Sequence, residues 1–278
     1  MGRPGRPMIT SSANTRLKLV RSLASRRQRE KLGLFVCEGE DLVQAGIDAG
    51  LEPVETLVDG ERPVSLHGLG EAEAVAPALL AKISALAHPP RIISVFRRGD
   101  LPALGEGGSR PTGLSLWHVG DPGNLGTLLR TADALGPAFV ALSTGCADPT
   151  GPKAQRASMG AVFRVPMGQF EAAPRPWVAL VPRGGQPLEE LRYAGGVTFV
   201  LGAEREGLPA DVLAVCDGTA SIPLAPDAES LNVAVAGAIA LYELATGRGQ
   251  DGRSDMRSHR IARKSSYGPT SELKRDEK

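Results

Sequence analysis

The stretch "LSLWHVGDPGNLGTLLRTADALGPAFVALS", residues 114–143, decides the fold. It reads as an apolar strand over 114–119, a turn through Pro122, Gly123 and Asn124, a helix over 124–135 and a second apolar strand over 138–143. On the helix, Leu125, Leu128, Leu129, Ala132 and Leu135 recur at helical spacing and form one buried stripe. The strands are apolar runs without alternation, which is the pattern of a parallel sheet covered on both faces. Arg130 lies about 140° round from Leu125 at 100° per residue, so it projects away from the sheet. Asn124 is placed to cap the helix. The loop and its arginine are either an ordinary solvated helix start or a ligand loop carrying a functional cation.

The same alternation continues downstream. Strands are expected at 177–181, 197–201 and 219–222, and helices at 152–159, 187–192, 209–214 and 230–246. Upstream, residues 14–31 read as one basic helix, 33–39 as a strand, 40–50 as a helix closed by Gly50, and 91–98 as a strand. Residues 99–112 are rich in Gly and Pro without periodicity and read as a linker. The expected organisation is therefore an N-terminal domain over 1–98, a linker, and a mostly parallel α/β domain over 113–247. The polar stretch 248–278 lacks the apolar surface to offset its ordering entropy and reads as a disordered tail.

Composition narrows the function classes. Lys and Arg number 32 against 31 Asp and Glu, so net charge alone names no partner. Residues 1–31, however, hold nine Lys or Arg against one acid, Glu30, which raises nucleic acid as a partner against the alternative of a solvated basic face. Cys37, Cys146 and Cys216 are scattered and the four histidines dispersed, so neither a disulfide framework nor a metal site is suggested. The longest apolar run, Val233 to Tyr242, is about half of what a bilayer span needs. A cytoplasmic protein with no membrane partner is expected.

Three loops converge on one expectation. "GDPGN" follows the strand at 114–119, "GAEREGLP" (202–209) follows the strand at 197–201, and "PLAPDAESLN" (223–232) follows the strand at 219–222. Open α/β sheets bind ligands at the carboxyl ends of their strands. Gly202 permits close backbone approach, Ser230 is read as the N-cap of the last helix, and that helix is apolar nearly all round, hence packed on two sides. Gly120, Gly123 and Gly126 have the wrong spacing for a dinucleotide loop, and no Walker sequence is present.

Taken in order, "DPGNLGTLLRTADALG", "KAQRASMGAVFRVP" (153–166), "LGAEREGL" (201–208) and "IPLAPDAESLNVAVAGAIALYEL" (222–244) resemble the ordered motifs of the SpoU family of RNA ribose 2′-O-methyltransferases, in the SPOUT superfamily. Residues 14–98 resemble that family's N-terminal substrate-binding domain. The resemblance implies a trefoil knot in the catalytic domain, S-adenosylmethionine held in the knotted loops, a homodimer, and RNA, most of all 23S rRNA, as substrate. It places Asn124, Arg130, Glu204, Ser230 and Asn232 in the catalytic set, and Gly202, Ile222 and Leu231 in the cofactor cradle. Pro226 and Ala234 depart from the family's usual Gly and Ser. A tRNA ribose methyltransferase and a non-catalytic RNA-binding protein are the competing readings.

A ribose hydroxyl is a poor nucleophile, so methyl transfer to it depends on placement and on handling the proton. An arginine suits both needs, because its planar fork can hold a phosphate beside the hydroxyl.

Overall fold

The computed structural model describes residues 7–62, 64–105, 112–136, 138–191 and 195–246. The expected tail, 248–278, lies outside the described residues. Two sheets organise the rest. A four-stranded sheet, in the order β1 (Leu34–Glu38), β4 (Ile92–Arg97), β2 (Glu55–Asp59), β3 (Glu73–Val75), carries α1 (Thr15–Ser22), α2 (Arg26–Leu32), α3 (Glu40–Asp48) and α4 (Pro77–Ile83). Leu17, Val20, Leu23, Leu79 and Leu80 bury one face of this sheet with Leu57, Ile93 and Val95.

The seven-stranded sheet is parallel at every pairing. Its order is β7 (Met167–Gln169), β6 (Ala138–Leu142), β5 (Thr112–Leu116), β10 (Thr198–Leu201), β8 (Trp177–Leu180), β11 (Gly218–Ser221), β9 (Gln186–Pro187). Between these strands run α5 (Pro122–Leu135), α6 (Pro152–Ser158), α7 (Ala210–Ala214) and α8 (Val233–Ala245). The chain leaves β8, makes β9 at the edge, returns to insert β10 between β5 and β8, then inserts β11 between β8 and β9. Because all pairs are parallel, the loops after β5, β10 and β11 open at the same end of the sheet.

Close approach at two glycines sets the helix packing around α5. A Cβ on Gly126 would lie 2.5 Å from the Ala154 carbonyl oxygen and the Ala157 Cβ, so α6 rests directly on this helix. A Cβ on Gly237 would overlap the Leu128 side chain, so α8 crosses α5 equally closely. Both sides of α5 adjoining Leu125, Leu128 and Leu129 are thereby buried, and only the face with Thr127 and Arg130 stays open.

Several expectations need correction. The single basic helix over 14–31 is two helices. Leu23 ends α1 buried, and the Arg29 guanidinium turns back to donate to the Leu23 and Ala24 carbonyls at 2.8 and 2.9 Å. Those bonds satisfy carbonyls that a helix end leaves open, which makes the break stable. The helix expected at 187–192 is a two-residue strand and a 3-10 turn, Leu188–Glu190, because Leu188 and Leu191 both turn into the core. The first half of the expected linker is ordered: Ala103 pairs with Met167, the Leu104 amide donates to the Met167 carbonyl, and the Met167 amide donates to the Pro102 carbonyl. Residues 106–111 lie outside the described residues.

The two sheets share one core. Phe35 and Phe96 of the small sheet, 6.0 Å apart between ring centroids, meet Phe163, which follows α6, at 6.3 and 6.1 Å. A buried polar network lies beside them. Arg29 Nε donates to Asp148 Oδ2 at 2.8 Å, Arg98 Nη1 donates to Asp148 Oδ1 at 3.1 Å and to Thr150 Oγ1 at 2.6 Å. Gln155 Nε2 donates to the Val36 and Thr150 carbonyls, and the Cys37 thiol donates to Gln155 Oε1. Burial pushes the Asp148 carboxyl up, but the Thr150 hydroxyl and amide, Arg98 and Arg29 outweigh it and hold the group below the usual carboxylate range.

Candidate active site

Three of the residues singled out by sequence meet in hydrogen-bond contact at the carboxyl end of the large sheet. Asn124 Nδ2 donates to Glu204 Oε1 at 2.6 Å, and Asn232 Nδ2 donates to Asn124 Oδ1 at 3.1 Å. They come from three different loops, 80 and 108 residues apart in the chain. Only the interleaved strand order brings them together.

Each is held by local geometry. The cap of α5 is Asp121, not Asn124: the Asp121 carboxylate accepts the Asn124 amide at 2.9 Å, with Pro122 at the first helical position. Capping by Asp121 leaves the Asn124 side chain free to point across to Glu204. The Asp121 carboxyl sits below its ordinary range, first through its bond to Lys153 Nζ at 2.9 Å and then through the Asn124 amide. The cap of α8 is Asn232, whose Oδ1 accepts the amides of Ala234 and Val235; the expectation that Ser230 caps this helix is not met. Asn232 therefore has its carbonyl side spent on the helix and its amide side directed at Asn124.

Ser230 is exposed in the same loop and makes no hydrogen bond among the described residues. Arg130 is exposed on the open face of α5, six residues beyond Asn124, and makes neither ion pair nor hydrogen bond among the described residues. An exposed arginine without a partner among the described residues, on the helix that also carries Asn124, is available to a ligand.

The other three positions line the loops. Leu231 is 37 % exposed beside Asn232, and Ile222 is half-buried against the main core. Gly202 permits the close backbone approach expected of it, and the backbone that approaches is that of its own loop. A Cβ there would overlap the backbone of Gly207 and Leu208, and the loop closes on itself through the Gly207 amide donating to the Ala203 carbonyl. Arg183, which the sequence did not single out, donates from Nη2 to the carbonyls of Pro226 and Ala228 at 2.9 and 2.8 Å, and so ties the loop after β8 to the loop after β11. Pro226 is fixed there by its carbonyl.

A parallel α/β sheet with an asparagine–glutamate–asparagine cluster at its strand ends, and an exposed arginine without a partner among the described residues, has the features of a binding site for a polar, anionic ligand. The comparisons with known proteins are more particular. Residues 111–242 match the SpoU rRNA Methylase family, and residues 14–94 match the MRM3-like substrate binding domain. The chain is 30% identical to the 23S rRNA (guanosine(2553)-2'-O)-methyltransferase RlmP of Bacillus subtilis, covering 85% of this chain and 98% of that one. It is 31% identical to an uncharacterised tRNA/rRNA methyltransferase of Synechocystis, covering 84% and 92%. The solved SpoU methyltransferase AviRb of Streptomyces viridochromogenes, in complex with AdoMet, superimposes with a TM-score of 0.74 at 27% identity, over 84% of this chain and 98% of that one. The chain belongs to the SpoU rRNA methylase family.

Proposed function

We propose that this protein transfers a methyl group from S-adenosylmethionine to a ribose 2′-hydroxyl in RNA, with 23S rRNA as the substrate. The observation that carries the reading is the cluster Asn124–Glu204–Asn232, together with an exposed Arg130 on the same helix as Asn124 that has no partner among the described residues. Relatives named as 23S rRNA methyltransferases and the AdoMet complex of a structural neighbour support the substrate and the cofactor.

The residues present fit the cofactor. Leu231 offers open apolar surface, Ile222 lies half-buried just past the carboxyl end of β11, and the tight turn after β10 that closes against Gly202 lies at the same end of the sheet. Gly202, Ile222 and Leu231 would hold the adenosine, and the sulfonium supplies an activated methyl group with a neutral leaving group. Arg130 holds the RNA phosphate and orients the 2′-hydroxyl, stabilising the developing alkoxide while the hydroxyl proton passes to water. Asn124 fixes Glu204 and Asn232 relative to one another, and Ser230 contributes a hydroxyl to the same loop.

The interleaved order of β8, β10 and β11 supports a trefoil knot at this end of the chain. A homodimer is supported by α8, where Val235 and Tyr242 are 48 % and 46 % exposed with Ala238 and Ile239 between them on one face. Residues 1–98 serve as the RNA-binding part, and the reaction takes place in the cytoplasm.

Transfer of labelled methyl to total RNA, followed by mapping of 2′-O-methyl positions, tests the reading. Arg130→Ala is expected to fold and bind S-adenosylmethionine normally while transfer falls by a factor of about 10² or more. Arg130→Lys should recover little, because a point charge lacks the planar fork. An active Arg130→Ala protein, or label in tRNA alone, overturns the corresponding half of the proposal.

A further inference from the structure

His118 stands just past the carboxyl end of β5, three residues before Asp121, and is exposed. Its backbone has φ +52°, the left-handed region, one of two non-glycine residues to do so among the described residues. Strain of this kind persists where surroundings impose it, and it concentrates at functional sites. Here the surroundings are explicit. The imidazole lies parallel to the Trp117 indole, 4.8 Å between centroids and 4° between planes. Trp117 is itself fixed edge-on against Phe170 at 5.2 Å.

Gly145 also adopts a left-handed conformation, φ +90°, against the same imidazole. A Cβ on Gly145 would lie 3.1 Å from His118 Cδ2 and 3.3 Å from Cγ and Nε2, so only glycine fits without displacing the ring. The His118 amide donates to Ser143 Oγ at 2.9 Å. The ring is thus packed against Trp117 and Gly145, and its two nitrogens have no hydrogen-bond partner among the described residues. A polar ring ordered in advance, with its donor unspent, loses little entropy when it takes a ligand.

Its position says which ligand. The loop that packs on the ring is the one whose Cys146 carbonyl accepts Arg26 Nη1 at 2.8 Å. Contacts therefore lead from Arg26 of α2 through residues 145–146 to His118, which lies three residues before Asp121, the cap of the helix that carries Asn124. We propose that His118 is a positioning residue for RNA, its imidazole N–H donating to a phosphate oxygen of the strand that enters the active site. The proposal rests on the RNA-methyltransferase reading and adds to it the anchor between the basic helix and the reacting ribose.

The experiment compares the parent with His118→Ala, His118→Asn and Gly145→Ala, using rRNA lacking the modification. Asparagine tolerates left-handed backbone, so His118→Asn separates loss of the ring from relief of the backbone. Expected results are a KM for RNA raised about tenfold in His118→Ala, with kcat within about twofold and calorimetric affinity for S-adenosylmethionine unchanged. Gly145→Ala should move KM in the same direction by less. Unchanged KM overturns the proposal; so does a fall in kcat at constant KM, which would place His118 in the chemical step, and so does weakened cofactor binding. RNA binding without cofactor is measured in parallel. A parent that binds RNA but transfers no methyl would defeat the enzymatic reading alone, and the binding ratio of His118→Ala to parent would still decide this one.

Discussion

Arg29 on α2 and Arg130 on α5 are both arginines on helices, and in sequence both belong to an RNA-binding argument. In the folded chain they have opposite fates. Arg29 is 5 % exposed and spends its guanidinium on Asp148 and on the carbonyls that end α1. Arg130 is exposed and has no partner among the described residues. The first arginine joins the two sheets into one body; the second is available to a substrate. A count of basic residues cannot separate these roles, because what separates them is whether a carboxylate over a hundred positions away folds against the guanidinium. Asp148 does so for Arg29, and no carboxylate among the described residues does so for Arg130.

The largest effect expected from breaking that contrast is on stability. Arg29→Ala leaves Asp148 buried with Arg98 as its remaining cation, and should lower unfolding free energy by about 3 kcal/mol, the low end for a broken buried pair. Arg130→Ala should change it by no more than about 0.5 kcal/mol. Urea unfolding of the two variants measures both, and equal losses would erase the distinction. The pH dependence has a definite sign. The Asp148 carboxyl is held below its unfolded value, so its contribution is fully present above about pH 4 and is lost as pH falls through the lower folded value. Asp148→Asn should accordingly show a shallower loss of stability on acidification than the parent.

An intermediate effect is expected at the caps. Asn232 holds the start of α8 and also contacts Asn124, so Asn232→Ala should cost about 1 kcal/mol of stability and depress methyl transfer as well. Ser230→Ala should leave stability unchanged, since Ser230 caps nothing. Thermal unfolding and transfer rates on the two variants distinguish the structural asparagine from the exposed serine. If Ser230→Ala proves the less stable of the two, the assignment of the cap is wrong.

The sheet and its active end were readable because they rest on long, strongly patterned segments. The helix beginning near Asn124 and the strands at 138, 177, 197 and 219 appear within a few residues of their expected places. What escaped the sequence was set by tertiary contact. Strands β7 and β9 are three and two residues long, too short for periodicity, and β7 is completed by residues 102–104, which read as linker. Pro187 followed by Leu188 reads as a helix start, yet burial of Leu188 and Leu191 allows only one 3-10 turn. One signal was overlooked: Asp121 followed by Pro122 is a cap with proline at the first helical position, and reading it would have released Asn124 from capping. The meeting of Asn124, Glu204 and Asn232 follows from strand order, which no local pattern encodes.

The smallest expected effect concerns the arginines of α2 that remain outside. Arg27 is exposed without an ion pair among the described residues, whereas Arg26 pairs with Glu30 at 2.8 Å and also donates to the Cys146 carbonyl. If α2 lies along RNA, Arg27→Ala should reduce the slope of log binding constant against log salt by about 0.7 to 0.9, the value for one phosphate contact. Arg26→Ala should reduce it by less, because part of that charge is already neutralised by Glu30. Arg29, with its charge buried on Asp148, has no counterion to release, so Arg29→Lys should leave the slope unchanged wherever the protein remains folded. The three slopes, measured by filter binding between about 50 and 200 mM salt, rank the arginines by their freedom from protein partners. A slope lost at Arg29 and kept at Arg27 would reverse the assignment of which arginines serve the fold and which serve the RNA.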